Sequence, residues 1–196
     1  MSVAVTATAT LRAFLCAAAV SVACSAAASA QDFTAVEPHI KAAFLFNFLK
    51  FVEWPPDVLA AGPITVCIAG SPAVAGSLKT ALKEHRPLDH DVVVGTLAAG
   101  TSAKGCHLVY VADGHEEIAR RWLVALQGST AFSVSDCERF ARLGGVANFF
   151  VRDGRLRFAV NVDAVRRAGL HISSRMLALA EIVKDDGSQG DLRTSR

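Results

Sequence analysis

Apolar side chains dominate residues 38–55, where Lys41, Asn47, Lys50 and Glu53 are nearly all the polar interruptions in a run holding Phe44, Phe46, Phe48, Phe51 and Trp54. Pro38 suits the first turn of a helix and Pro55-Pro56 forces its end, so the stretch predicts a helix that is apolar over most of its circumference. Such a helix is buried on two sides or covered by a partner. The aromatic positions sweep around a 3.6-residue helix and cannot all face one core. Part of the set, with Phe44 and Phe48 as the contact candidates, is therefore expected to meet a second subunit or another protein.

Beyond Pro63 the rhythm changes to short apolar runs separated by helical spacing. Residues 64–69, 92–94, 106–112 and 131–135 read as strands, and 73–85 and 116–126 as helices. Asp136 is placed to cap a helical turn that Gly144-Gly145 stops. Residues 146–152 and 155–162, joined by Asp153-Gly154, form a hairpin signal, because both turn positions tolerate positive φ. Asp163 is expected to cap a short helix ending at Gly169, and Ser173 a last helix over 175–183. The expected fold is α/β: a single-domain mixed sheet with helices on both faces, ending in an antiparallel hairpin and two short helices.

Residues 13–30 are uncharged, follow Arg12 and close with Ala28-Ser29-Ala30. That reads as a secretory signal peptide over 1–30, not a membrane anchor. A lipoprotein site at Cys24 is disfavoured by Ser21, where an aliphatic residue is wanted. The domain is then expected over 31–184, with a flexible polar tail over 185–196, in an exported protein. Hydrophobic residues at 52% against 19% charged exclude overall disorder, and a formal charge of +2 gives no basic face for nucleic acid.

Few catalytic arrangements survive inspection. Glycine-rich nucleotide loops and a Gly-x-Ser-x-Gly elbow are missing from the sequence. His115-Glu116 opens like a zinc-protease helix but lacks the second histidine one turn on, and the six histidines show no ligand spacing. No enzyme activity, metal or cofactor is expected. After removal of the leader three cysteines remain. Cys67 and Cys106 lie in or beside strands that a parallel sheet would bring together. They are either a disulfide or two buried thiols, and export favours the disulfide. Cys137 reads as a spare thiol.

The most distinctive text is C-terminal. Arg155, Arg157 and Asn161 share one face of a strand, and Arg166 and Arg175 follow on the next helices. Converging guanidiniums would hold a small anion or a partner's carboxylates; the alternative is a solvated face with Asn161 capping the following helix.

Lys41-Ala-Ala-Phe-Leu-Phe-Asn-Phe-Leu-Lys-Phe-Val-Glu-Trp-Pro55, Cys106-His-Leu-Val-Tyr-Val111, Arg157-Phe-Ala-Val-Asn161 and Ala168-Gly-Leu-His-Ile-Ser-Ser-Arg175 together resemble the YfiR family of periplasmic regulators, over roughly residues 36–184. The resemblance implies a dimerising α/β domain that binds the periplasmic sensor domain of an inner-membrane diguanylate cyclase and represses cyclic di-GMP synthesis. It also implies release through capture by an outer-membrane OmpA-like lipoprotein. Cys67 and Cys106 match the family's stabilising disulfide. A second bridge would need a partner for Cys137 a few residues on, where Leu143-Gly144-Gly145 offers none. The alternative function is a periplasmic small-molecule sensor acting on another receptor, its ligand beside Arg157, Asn161 and Arg175.

Overall fold

The computed structural model describes residues 36–60, 62–98 and 101–186. The chain divides into two units, Met1–Pro38 and His39–Arg196. The expected signal peptide and residues 187–196 lie outside the described residues.

Helix α1 is described over 36–51, and the proline pair ends it as expected, after a two-residue strand β1 (Val52–Glu53) and before α2 (Pro56–Leu59). There follow β2 (Ile64–Ala69), α3 (Pro72–Glu84), β3 (Val92–Leu97), β4 (Leu108–Val111), α4 (Glu116–Ala125) and β5 (Phe132–Ser135). The chain closes with β6 (Ala147–Arg152), β7 (Arg155–Asn161), α5 (Val162–Arg167), β8 (His171–Ile172), α6 (Ser174–Leu177) and β9 (Glu181–Val183). Seven strands form one sheet in the order β3-β2-β4-β5-β6-β7-β9, and β1 pairs with β8 apart from it. The first five run parallel; β7 turns back antiparallel to β6, and β9 lies parallel to β7. The parallel part has the flavodoxin-like strand order.

Alternation along the strands sorts the core into two layers. Ile64, Val66, Ile68, Leu108, Tyr110, Phe132, Val134, Phe149 and Phe158 face α1, α3 and α5, while Cys67, Val109 and Val111 face α4 through Trp122. Helices therefore cover both faces, as expected.

The last third departs from expectation in particulars. Asp136 caps no helix; residues 138–144 form turns, and Ser135 Oγ accepts the Cys137 N–H at 3.1 Å instead. Asn161, not Asp163, caps α5, accepting from the Asp163 and Ala164 N–H groups at 3.0 and 3.1 Å. Ser173 caps α6 as expected, but that helix stops at Leu177, and β9 takes the place of its expected second half. Two residues at the start of the expected tail make ion pairs. Asp185 is held by Arg167 at 2.7 Å, and Asp186 by Arg139 at 2.6 Å.

The hairpin forms as read. Asp153 (φ 53°) and Gly154 (φ 67°) are both left-handed, the geometry a two-residue turn of this kind needs.

Candidate functional site

The aromatic set of α1 is the first candidate surface, and the structure turns most of it inward. Phe48 is 1% exposed, with ring centroids 5.3 Å from Phe132 and 5.1 Å from Phe158. It is a core residue, so Phe48 is corrected from a contact residue to a packing one. Phe44 is half-buried, 5.6 Å from both Phe149 and Phe158. Phe46 edges onto His85 at the end of α3, and Trp54 Nε1 donates to the His107 carbonyl at 3.2 Å. The second layer demanded by the sweep of aromatics is supplied by the chain itself: the hairpin on one side of α1 and α3 on another.

A buried charge fixes α1 in place. Lys41 Nζ lies 2.9 Å from Asp136 Oδ2, and the Tyr110 hydroxyl donates to the same carboxylate at 2.8–2.9 Å. This ties α1 to β4 and to the residue just after β5. The zinc-like His115-Glu116 pair is likewise structural. His115 bonds to Asp113 and precedes α4, while Glu116 meets Arg120 at 2.8 Å and Arg139 at 2.7 Å. Those guanidiniums hold the Glu116 carboxyl below its usual range, Arg120 most of all.

Cys67 and Cys106 are joined, with Cα atoms 5.8 Å apart, beneath Trp122 on the α4 face. Cys137 is free and buried among Ala119, Phe140 and Leu143. Burial pushes its thiol pKa up, the reverse of what a reactive thiol needs.

The arginines do not converge. Arg155 begins β7 at the hairpin turn and Asn161 ends it, six residues and about 20 Å of strand away. Asn161 is fully buried; its side-chain amide donates to the Ala141 carbonyl at 2.8 Å and to Asp185 at 2.5 Å while its oxygen caps α5. It is a structural junction and offers no surface to a ligand. Arg166 pairs with Asp163 on its own helix. Arg175 is exposed on α6, beyond the Asn161 end of β7. The proposed anion site beside Arg157, Asn161 and Arg175 is thus dispersed along the fold.

A different grouping takes its place. Phe150 faces Arg157 and Arg152 faces Arg155 across the hairpin, so all four project from one face. The Arg152 guanidinium stacks 4.9 Å from the Phe150 ring centre and meets Glu181 of β9 at 2.8 Å; Arg142 approaches the same carboxylate at 3.9 Å. Glu181 is the one carboxylate paired with these arginines among the described residues, and Arg155 and Arg157 are exposed without an ion pair. On the opposite face of the tip, Val151 is 51% exposed beside Leu156. The tip of the hairpin therefore presents exposed arginines on one face and exposed Val151 on the other, where its neighbour Leu156 packs back against the core. Arg142 and Arg152 were not singled out from sequence. The hairpin register carried the signal for Arg152; Arg142 arrives from a turn and had none.

These features define an α/β domain whose polar clusters are structural and whose hairpin tip carries two exposed arginines with no ion pair among the described residues. A family model described as YfiR/HmsC-like (DUF4154) matches residues 38–181, and the chain belongs to that family. The curated proteins contain no match to it.

Proposed function

We propose that this protein is a periplasmic negative regulator that binds the sensor domain of an inner-membrane diguanylate cyclase and so represses cyclic di-GMP synthesis. The direction of regulation and the cyclase follow from the family likeness. Capture by an outer-membrane OmpA-like lipoprotein and a homodimeric state belong to the same likeness.

The observation that carries a binding role is the hairpin tip, an arginine-bearing arm. Arg155 and Arg157 stand exposed and unneutralised beside Phe150, with Val151 and Leu156 behind them. Arginine with an adjacent aromatic is the composition that supplies energy at protein contacts, and unpaired positive charge selects an acidic partner. Arg166 and Arg175 contribute, in this reading, only if the partner also reaches the α5–α6 end.

Replacing Arg155 and Arg157 together by Glu tests the assignment. The double variant should keep its circular dichroism spectrum, because both side chains are solvent-exposed, and should lose roughly tenfold or more in capture of the cyclase from solubilised membranes. A folded variant that captures the cyclase as well as wild type refutes the arm as the contact.

A further inference from the structure

The large sheet ends in two edges that are built differently. β9 has three residues and runs straight into Lys184, Asp185 and Asp186, the last two held in ion pairs with Arg167 and Arg139. β3 has six residues, Val92-Val93-Val94-Gly95-Thr96-Leu97, with no charge and no proline. Short length, charge and proline are the devices that keep an exposed strand from pairing, and β3 carries none of them. Among the described residues its backbone bonds only to β2.

The register says which backbone groups are left over. The Ile64 N–H donates to the Asp91 carbonyl at 2.8 Å, so the odd-numbered residues of β3 turn their amides and carbonyls toward β2. The N–H and C=O groups of Val92, Val94 and Thr96 therefore point outward. That set is symmetric about Val94. A second β3 laid antiparallel, with Val94 opposite Val94, puts Val92 opposite Thr96, and each of these pairs becomes a hydrogen-bonded one. The side chains suit the same register, which sets Val93 opposite Gly95. Val93 is 50% exposed, and a Cβ placed on Gly95 would meet nothing within 4 Å, so the valine has room over the partner's glycine. Both residues lie on the α4 face, level with Thr65 and Cys67 of β2. The chain's own end is badly placed to compete. It leaves from β9 at the other edge, and crossing six strand spacings of about 4.8 Å would use nearly all of the residues beyond Asp186.

We propose that β3 is the surface through which two copies of this chain join, antiparallel across a two-fold axis at Val94, into one continuous sheet. This rests on the homodimeric part of the function proposed above and on nothing about the cyclase. β3 and the arginine hairpin lie toward opposite ends of the strand order, so the dimer carries its two hairpins at its outer ends.

Sedimentation velocity of the full mature protein tests the surface. Wild type should be a dimer at tens of micromolar. Val93→Lys puts a charge where pairing would desolvate it and should raise the dimer dissociation constant roughly tenfold or more. Val94→Pro deletes the central outward N–H, removes no hydrogen bond within the chain, and should weaken the dimer similarly. Circular dichroism checks folding; should Val94→Pro unfold, Val93→Lys decides alone. Register is read with the short thiol crosslinker 1,2-ethanediyl bismethanethiosulfonate. Val94→Cys should give a covalent dimer, whereas Thr96→Cys should not, because its two copies stand four residues apart along the strands. Wild-type protein that stays monomeric overturns the proposal and the homodimer with it, leaving the edge to a strand of another protein. Folded Val93→Lys and Val94→Pro variants that dimerise as wild type does, or equal linking of Val94→Cys and Thr96→Cys, overturn the proposal while keeping a homodimer built on another surface.

Discussion

Cutting the Cys67–Cys106 bridge frees a loop with a sequence separation of 39, which contains all of α3 and β3. β3 is an edge strand whose only sheet neighbour is β2. The bridge therefore staples the outermost strand-helix-strand unit back to the centre of the sheet. Loop-closure entropy for a ring of that size is worth about 4 kcal/mol. Both cysteines are also buried under Trp122, at 5% and 9% exposure, so replacing them with Ala adds a small packing loss to the entropic one. For a domain of this size, about 4 kcal/mol corresponds to a fall in Tm of roughly 8–16 °C. The assay is thermal unfolding followed by circular dichroism, on wild type with and without excess reductant and on the double Cys67→Ala/Cys106→Ala variant. Reduced wild type and the oxidised double variant should melt within a few degrees of each other, both well below oxidised wild type. The double variant should not respond to reductant. A reduced protein that melts within about 2 °C of the oxidised one would show that the bridge does not constrain the unfolded chain, and the stapling argument would fail.

Other consequences can be read with similar instruments. A Cβ on Gly145 would stand 2.2 Å from Phe140 Cε1, and Phe140 is fully buried, so Gly145→Ala should cost about 1–3 kcal/mol in urea unfolding; a neutral result would mean that the ring has room to move. Lys41→Met leaves the Asp136 carboxylate without its cation and should cost about 1–3 kcal/mol, while unchanged stability would make the pair incidental. Folding raises the Cys137 thiol pKa, chiefly through burial, so the stability this group contributes is present below the ordinary thiol pKa and is lost as pH climbs above about 9. Cys137→Ala should flatten that alkaline decline, and an identical decline in the variant would assign it to other groups. In native protein Cys137 should resist alkylation and label fully only on unfolding.

The elements legible in the sequence were those whose own residues dictate them. Ile64–Ala69 is an apolar run broken only by Thr65, after Gly62-Pro63, and Asp153-Gly154 sets a two-residue turn whatever surrounds it. Cys67 and Cys106 became a pair because β2, which holds Cys67, and β4, which starts two residues after Cys106, are neighbours in the sheet. What local reading missed depended on distant partners. Residues 175–183 carry helical spacing, yet Glu181–Val183 is drawn into the sheet by pairing with β7, which no local pattern encodes. Asp136 looked like a cap because its partners, Lys41 and Tyr110, lie 95 and 26 residues away. Phe48 looked like surplus apolar surface because the rings that receive it come from β5 and β7. The arginines were judged by strand parity, which placed Arg155, Arg157 and Asn161 on one face correctly. Parity is silent on position along the strand, and that is what separates Asn161 from the other two.

The central claim is that repression is exerted through the basic arm. Cellular cyclic di-GMP, measured in a strain deleted for this protein and complemented with either wild type or the Arg155→Glu/Arg157→Glu variant at equal periplasmic abundance, tests it most directly. The account predicts that deletion raises cyclic di-GMP, that wild type restores the low level, and that the folded variant does not. A deletion that leaves cyclic di-GMP unchanged, or a variant that restores repression in full, would contradict it.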